Sequence, residues 1–98
     1  MDFLVRLAAY ALLEKEPCTP SGLEKALTDL GLEVNSMDLS HYIQRQHLEV
    51  KALTLVTGDG GRAYGLSSIG QQMYLELKVQ WSGIQGKLEA LLSESDMP

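Results

Sequence analysis

The chain has 98 residues, 45% of them hydrophobic, and carries 8 Lys and Arg against 13 Asp and Glu, a formal net charge of −5 at pH 7. That length makes one small domain with a modest core, for which a second copy is a natural source of extra buried surface. No apolar run approaches the roughly 18 residues of a membrane span, Asp2 stands where a secretory leader carries cations, and a lone cysteine, Cys18, excludes an internal disulfide. The chain reads as a cytoplasmic protein without membrane segment, metal site or cofactor, and Cys18 as an ordinary loop thiol.

In chain order, Phe3, Leu4, Val5, Leu7 and the Ala and Leu residues up to Leu13 predict a helix over 3–15 that is covered on two faces. Pro17 and Pro20 bracket a break. A second helix over 20–30 then starts either from Thr19, with Pro20 in its first turn, or from Ser21 and Glu24 as a capping box. Its core stripe is Leu23, Ala26, Leu27 and Leu30, with Gly31 as the stop and Leu32 and Val34 as an apolar tail. A third helix over 36–47 is capped by Asn35 or Ser36, has Asp38 in its first turn, and turns Leu39, Tyr42 and Ile43 inward.

After Leu48 the period changes from helical to alternating. VKALTLVT and RAYGLS read as paired strands around GDGG, a hairpin within residues 49–67, because glycine supplies the left-handed conformations of a tight turn. Gly65, inside the second strand, predicts a bulge or a close backbone approach. A long helix follows over 68–92, with 93–98 as an acidic tail. On it Tyr74, Leu77, Trp81, Ile84, Leu88 and Leu91 fall at alternating steps of three and four, the seam of a helical pair. Such a seam predicts a homodimer interface. Gly83 and Gly86 cost about 1 kcal/mol each inside a helix, and close approach of another backbone would explain them.

Helix, helix, helix, hairpin, helix is the layout of a winged helix-turn-helix domain: mainly α with a two-stranded β-hairpin and a long C-terminal dimerisation helix. The segment YALLEKEP at Tyr10–Pro17, the triplet Gly22-Leu23-Glu24 and the run RAYGLSSIG at Arg62–Gly70 resemble corresponding segments of the PadR-like transcriptional regulators, with the MarR-like group as near neighbour. The resemblance covers nearly the whole chain. It implies a homodimeric DNA-binding regulator on a palindromic duplex site, with the third helix in the major groove and the wing on the backbone or minor groove. The DNA-contacting residues would be Ser40, His41, Gln44 and Arg45, where Gln44 suits adenine and Arg45 guanine, together with Arg62 beside the wing tip.

Charge pulls the other way. Residues 35–66 hold three cations and three acids, and the excess acids lie elsewhere, so few groups can neutralise phosphate. The alternative is a winged helix used as a protein-interaction module, for example a phage- or plasmid-encoded regulator or inhibitor. An enzyme is not expected. His41 and His47 fall on different helix faces with no triad partner, and GDGG lacks the Lys and Ser/Thr of a phosphate-binding loop. An inducer pocket around Phe3 and Trp81 is a further expectation, from aromatic placement alone.

Overall fold

A computed structural model describes residues 1–58 and 61–95. Its elements are α1 (Phe3–Lys15), α2 (Pro20–Asp29), α3 (Ser36–Leu48), β1 (Leu53–Gly58), β2 (Gly61–Leu66) and α4 (Ser68–Ser95). This is the four-helix, one-hairpin order that the periodicity predicts.

Short polar side chains set the helix starts by accepting from backbone N–H groups that have no partner inside the helix. Asp2 Oδ1 accepts from Val5 N–H at 2.9 Å, and Asn35 Oδ1 accepts from Met37 and Asp38 N–H at 2.9 and 3.1 Å. Of the two candidate starts for α2, the chain uses Thr19, whose Oγ1 accepts from Gly22 N–H at 3.0 Å with Pro20 in the first turn. α2 ends one residue early: its last turn closes at Leu30, and Gly31 follows at φ 87°. Leu30 thereby leaves the inward stripe and is 60% exposed, a correction to the expected core. The core proper is Val5, Ala9, Leu13, Leu23, Leu27, Leu39, Ile43 and Leu53, with Leu32, Val34, Tyr64 and Leu66 packed against it. Ser36 Oγ donates to Glu24 Oε1 at 2.5 Å and ties the start of α3 to α2.

The strands pair antiparallel in continuous register from Leu53 opposite Leu66 to Gly58 opposite Gly61. They begin later than the expected wing, because Glu49–Ala52 form a link in which Lys51 adopts φ 65°. Gly61 has φ 100°, as a tight turn requires; Asp59 and Gly60, the centre of GDGG, lie outside the described residues. No bulge occurs at Gly65, which pairs with Thr54. The close backbone approach does not occur either: a Cβ at Gly65 would meet only the Pro17 and Val56 side chains, at 3.6 Å and beyond, an ordinary packing distance. The stretch around Cys18 is more than a loop. Cys18 N–H donates to Tyr64 O at 3.0 Å and Tyr64 N–H to Cys18 O at 2.8 Å, so the α1–α2 connection adds a one-residue third strand beside β2.

α4 is anchored at its start. Ser67 N–H donates to Ala52 O at 2.9 Å, and Ser67 Oγ donates to Lys51 O at 2.7 Å while accepting from Gly70 N–H at 3.1 Å. At Gly70 the backbones meet so closely that a Cβ would lie 2.1 Å from Ala52 O. The helix then runs past the expected end at 92 to Ser95, so the first part of the predicted tail is helical. Among the described residues no helix is long and apolar enough to cross a membrane.

Candidate nucleic-acid interface

α3 has two unlike sides. Leu39, Ile43 and Gln46 are buried, and the opposite side presents Ser40, His41, Gln44 and Arg45 to solvent. His41, Gln44, Arg45, Leu48 and Glu49 line a shallow groove of about 250 Å³. Arg45 Nε lies 3.9 Å from Glu49 Oε2, with both side chains more than two-thirds exposed. An exposed pair of this kind is screened and contributes little, so Arg45 is readily released to another anion. Glu49 nevertheless lowers the positive potential of this face, and sequence reasoning did not place it there.

Arg62 is exposed on β2 opposite Thr57, next to the hairpin turn. No hydrogen bond or ion pair among the described residues joins it to the outer face of α3. What joins the two elements is His47, at the end of α3. Its Nδ1 lies 2.9 Å from Leu53 O and donates to that carbonyl, and its ring meets Tyr64 edge-on at 5.4 Å. α3 and the hairpin therefore hold a fixed relation.

Behind the exposed face sits a polar contact that the inward stripe Leu39, Tyr42, Ile43 leaves out. Tyr10, 1% exposed, donates from its hydroxyl to Gln46 Oε1 at 2.6 Å, with Met73 Sδ 3.9 Å from the same hydroxyl. The helical step from Leu39 through Ile43 reaches Gln46, and that spacing was the signal for its inward position. Burial, with Tyr42 alongside, pushes the Tyr10 phenol far above its ordinary range. Burial and then the nearby Glu16 carboxylate push the Cys18 thiol up as well, which makes it a poor nucleophile.

Along the predicted seam of α4 exposure grows toward the far end, although Leu75 and Val79, off the seam, are 50% and 72% exposed. Tyr74, Leu77 and Trp81 are half-buried, whereas Ile84, Leu88 and Leu91 are 47%, 46% and 60% exposed. Lys78 Nζ stands 4.5 Å over the Tyr74 ring. Side chains at Gly83 and Gly86 would meet nothing within 4 Å, so packing inside the described chain does not account for either glycine. No group of three or more His, Cys, Asp or Glu among the described residues is arranged to hold a metal ion.

No protein-family model matches the chain, and no curated protein matches it in sequence. A solved structure does match in shape. The X-ray structure of a PadR-like transcription factor from Bacteroides fragilis superposes with a TM-score of 0.71, covering 90% of this chain and 89% of that one, at 22% sequence identity. The class defined by this likeness is the winged helix with a long C-terminal helix. Within that class the chain has the PadR-like form of the fold.

Proposed function

We propose that the chain is a DNA-binding transcriptional regulator that acts as a homodimer. α3 enters the major groove, and the hairpin lies on the backbone or in the minor groove. The observation that carries this reading is the asymmetry of α3. Its inner side is fixed by Leu39, Ile43 and the Tyr10–Gln46 hydrogen bond, while Ser40, His41, Gln44 and Arg45 share an exposed side with the hydrogen-bonding capacity to read base edges. The fold shared with a protein described as a transcription factor supports the reading. The dimer is supported by the exposed apolar side chains of distal α4 and by two interior glycines with open space beside them. In such a dimer two copies of α3 would meet successive major grooves about 34 Å apart, which calls for a palindromic site.

A second reading has its own observation. Met37 and Leu48 on α3 are 67% and 61% exposed, and the chain carries net charge −5, features that suit a protein partner better than phosphate. Fluorescence anisotropy of the chain against random duplexes, at low and moderate salt, separates the two. Enrichment of a palindromic sequence is the expected result. No enrichment, with affinity no tighter than about 10⁻⁴ M even at low salt, would assign the winged helix to a protein partner.

A further inference from the structure

We propose that the outer edge of β1 pairs antiparallel with the same edge of a second copy, joining two hairpins into one four-stranded sheet. The contact rests neither on DNA binding nor on a dimer through α4.

The two edges of the hairpin differ. The outer edge of β2 is covered at Tyr64, whose N–H and C=O both pair with Cys18. Those groups point away from β1, so Tyr64 and the facing Leu55 do not bond each other, and the N–H and C=O of Leu55 point outward from β1. Alternation along the strand gives Leu53 and Thr57 the same direction and turns Thr54, Val56 and Gly58 toward β2. The Leu53 carbonyl is met on that side by His47 Nδ1. Beyond it the edge is open: among the described residues no hydrogen bond reaches the N–H or C=O of Leu55 or Thr57.

This edge lacks the devices that keep strands apart. The stretch Ala52–Gly58 contains no charged residue and no proline, and the register to β2 runs without a bulge. Leu55 on one face and Val56 on the other are both exposed, as are Thr54 and Thr57.

The backbone fixes what fits. Alternating donors and acceptors on an open edge are matched by another extended strand. β1 is its own match. A two-fold axis at Val56 sets Leu55 opposite the second copy's Thr57 and Thr57 opposite the second copy's Leu55, which satisfies every open group from Leu55 to Thr57 in reciprocal pairs. Val56 meets Val56 across the axis, and β2 stays outermost, where Cys18 covers it. The chain as a whole is acidic, whereas this strand is uncharged, so two copies meet here without like charges opposed. So short a contact buries far less than the roughly 1,200 Å² of a stable complex. It is weak alone and gains strength where copies are already held together.

The test is the NMR amide spectrum of the unmodified full-length chain at concentrations from about 20 µM to about 2 mM. The amides of Leu55, Val56 and Thr57 should shift together toward saturation, with a Kd of about 0.3 mM. In a mixture of differently labelled chains an intermolecular contact should join the Val56 Hα protons, which face each other at the axis. Ile84→Glu, a change on α4, should leave both signals in place. Leu55→Lys sets a charge on the edge, and Thr57→Pro removes an outward N–H without touching the ladder to β2. Each should weaken the association at least tenfold, while Leu30→Lys, at an exposed leucine of α2, should not. The labelled mixture uses the unmodified protein, so a poorly folded variant does not blunt the test. Concentration-dependent shifts confined to α4, no shift at the three β1 amides, no intermolecular Val56 contact, or an unchanged Kd in folded Leu55→Lys or Thr57→Pro would each overturn the proposal.

Discussion

α3 and α4 solve opposite problems. α3 buries its apolar side and leaves a polar side in water, which is stable whether or not anything binds there. α4 is held by backbone contact at Gly70, keeps Tyr74, Leu77 and Trp81 half-buried on one side, and then carries Ile84 and Leu88 of the same seam nearly half exposed. A solvated polar face costs nothing to leave open, whereas an apolar stripe of several turns gains free energy only when covered. Of the two readings, DNA on α3 and a second copy on α4, the distal part of α4 carries the stronger physical demand for a partner.

Four experiments test that contrast, the largest effect first. Gly70→Ala drives a methyl into the Ala52 carbonyl, where backbone meets backbone and neither side can yield cheaply. Thermal unfolding should show a loss of more than about 3 kcal/mol, whereas alanine at the exposed Gly86, which meets nothing within 4 Å, should gain about 0.5–1 kcal/mol from helix propensity. Ile84→Glu comes next. It should convert a dimer to monomer by placing an unpaired charge in the contact, as read by sedimentation at tens of micromolar. A monomeric unmodified protein, or a dimer indifferent to the change, would remove the contrast altogether.

Tyr10→Phe takes away the donor to buried Gln46 and should cost about 1–3 kcal/mol. Tyr10 also has a pH signature. Its phenol titrates higher in the folded chain than its ordinary value of 10.0, so its contribution is fully present below pH 10 and is lost as pH rises through the folded value. Chemical denaturation should show stability falling above pH 10 in the unmodified chain and falling less in Tyr10→Phe. The smallest effects concern the polar face. Arg45→Ala should weaken binding to a selected duplex about tenfold and relax its sequence preference, while Arg62→Ala should weaken all duplexes alike and reduce the salt slope by about one. Equal effects on all duplexes from both changes would leave α3 without a reading role.

The order of elements was legible because each type prints its own period. The 3.6-residue stripes of the first helices give way to alternation after Leu48, and the glycines of GDGG separate two segments of similar length. Asn35 and Thr19 were visible as caps, since short oxygen-bearing side chains before an apolar period have few other uses. Three features were hidden. The Cys18–Tyr64 pairing joins residues 46 apart through backbone atoms, and backbone pairing leaves no mark on residue type. Leu30 lies outward because α2 stops one residue early, and helix ends are where periodicity is least informative. The spacing from Leu39 and Ile43 points Gln46 inward, but its partner Tyr10 stands 36 positions away on another helix, and no local pattern pairs the two. For the candidate interface the sequence supplied the exposed residues of α3 and Arg62. It did not reveal Glu49 beside Arg45, nor that Arg6 shares a cavity with two phenols, because both depend on how helices are set against each other.

The clamp at Gly70 also makes α4 a lever. The helix has 28 residues, about 42 Å at the usual rise per residue, and it is gripped near one end by Ala52 and Ser67. Tilting such an arm by roughly 5° at the grip carries its far end through about 3.5 Å, close to a whole base-pair step. Small adjustments among Tyr10, Gln46 and Met73, which cross between α1, α3 and α4, would thus emerge magnified wherever the distal turns are held. In a pair of such arms the separation of the two α3 helices would be tuned from their roots.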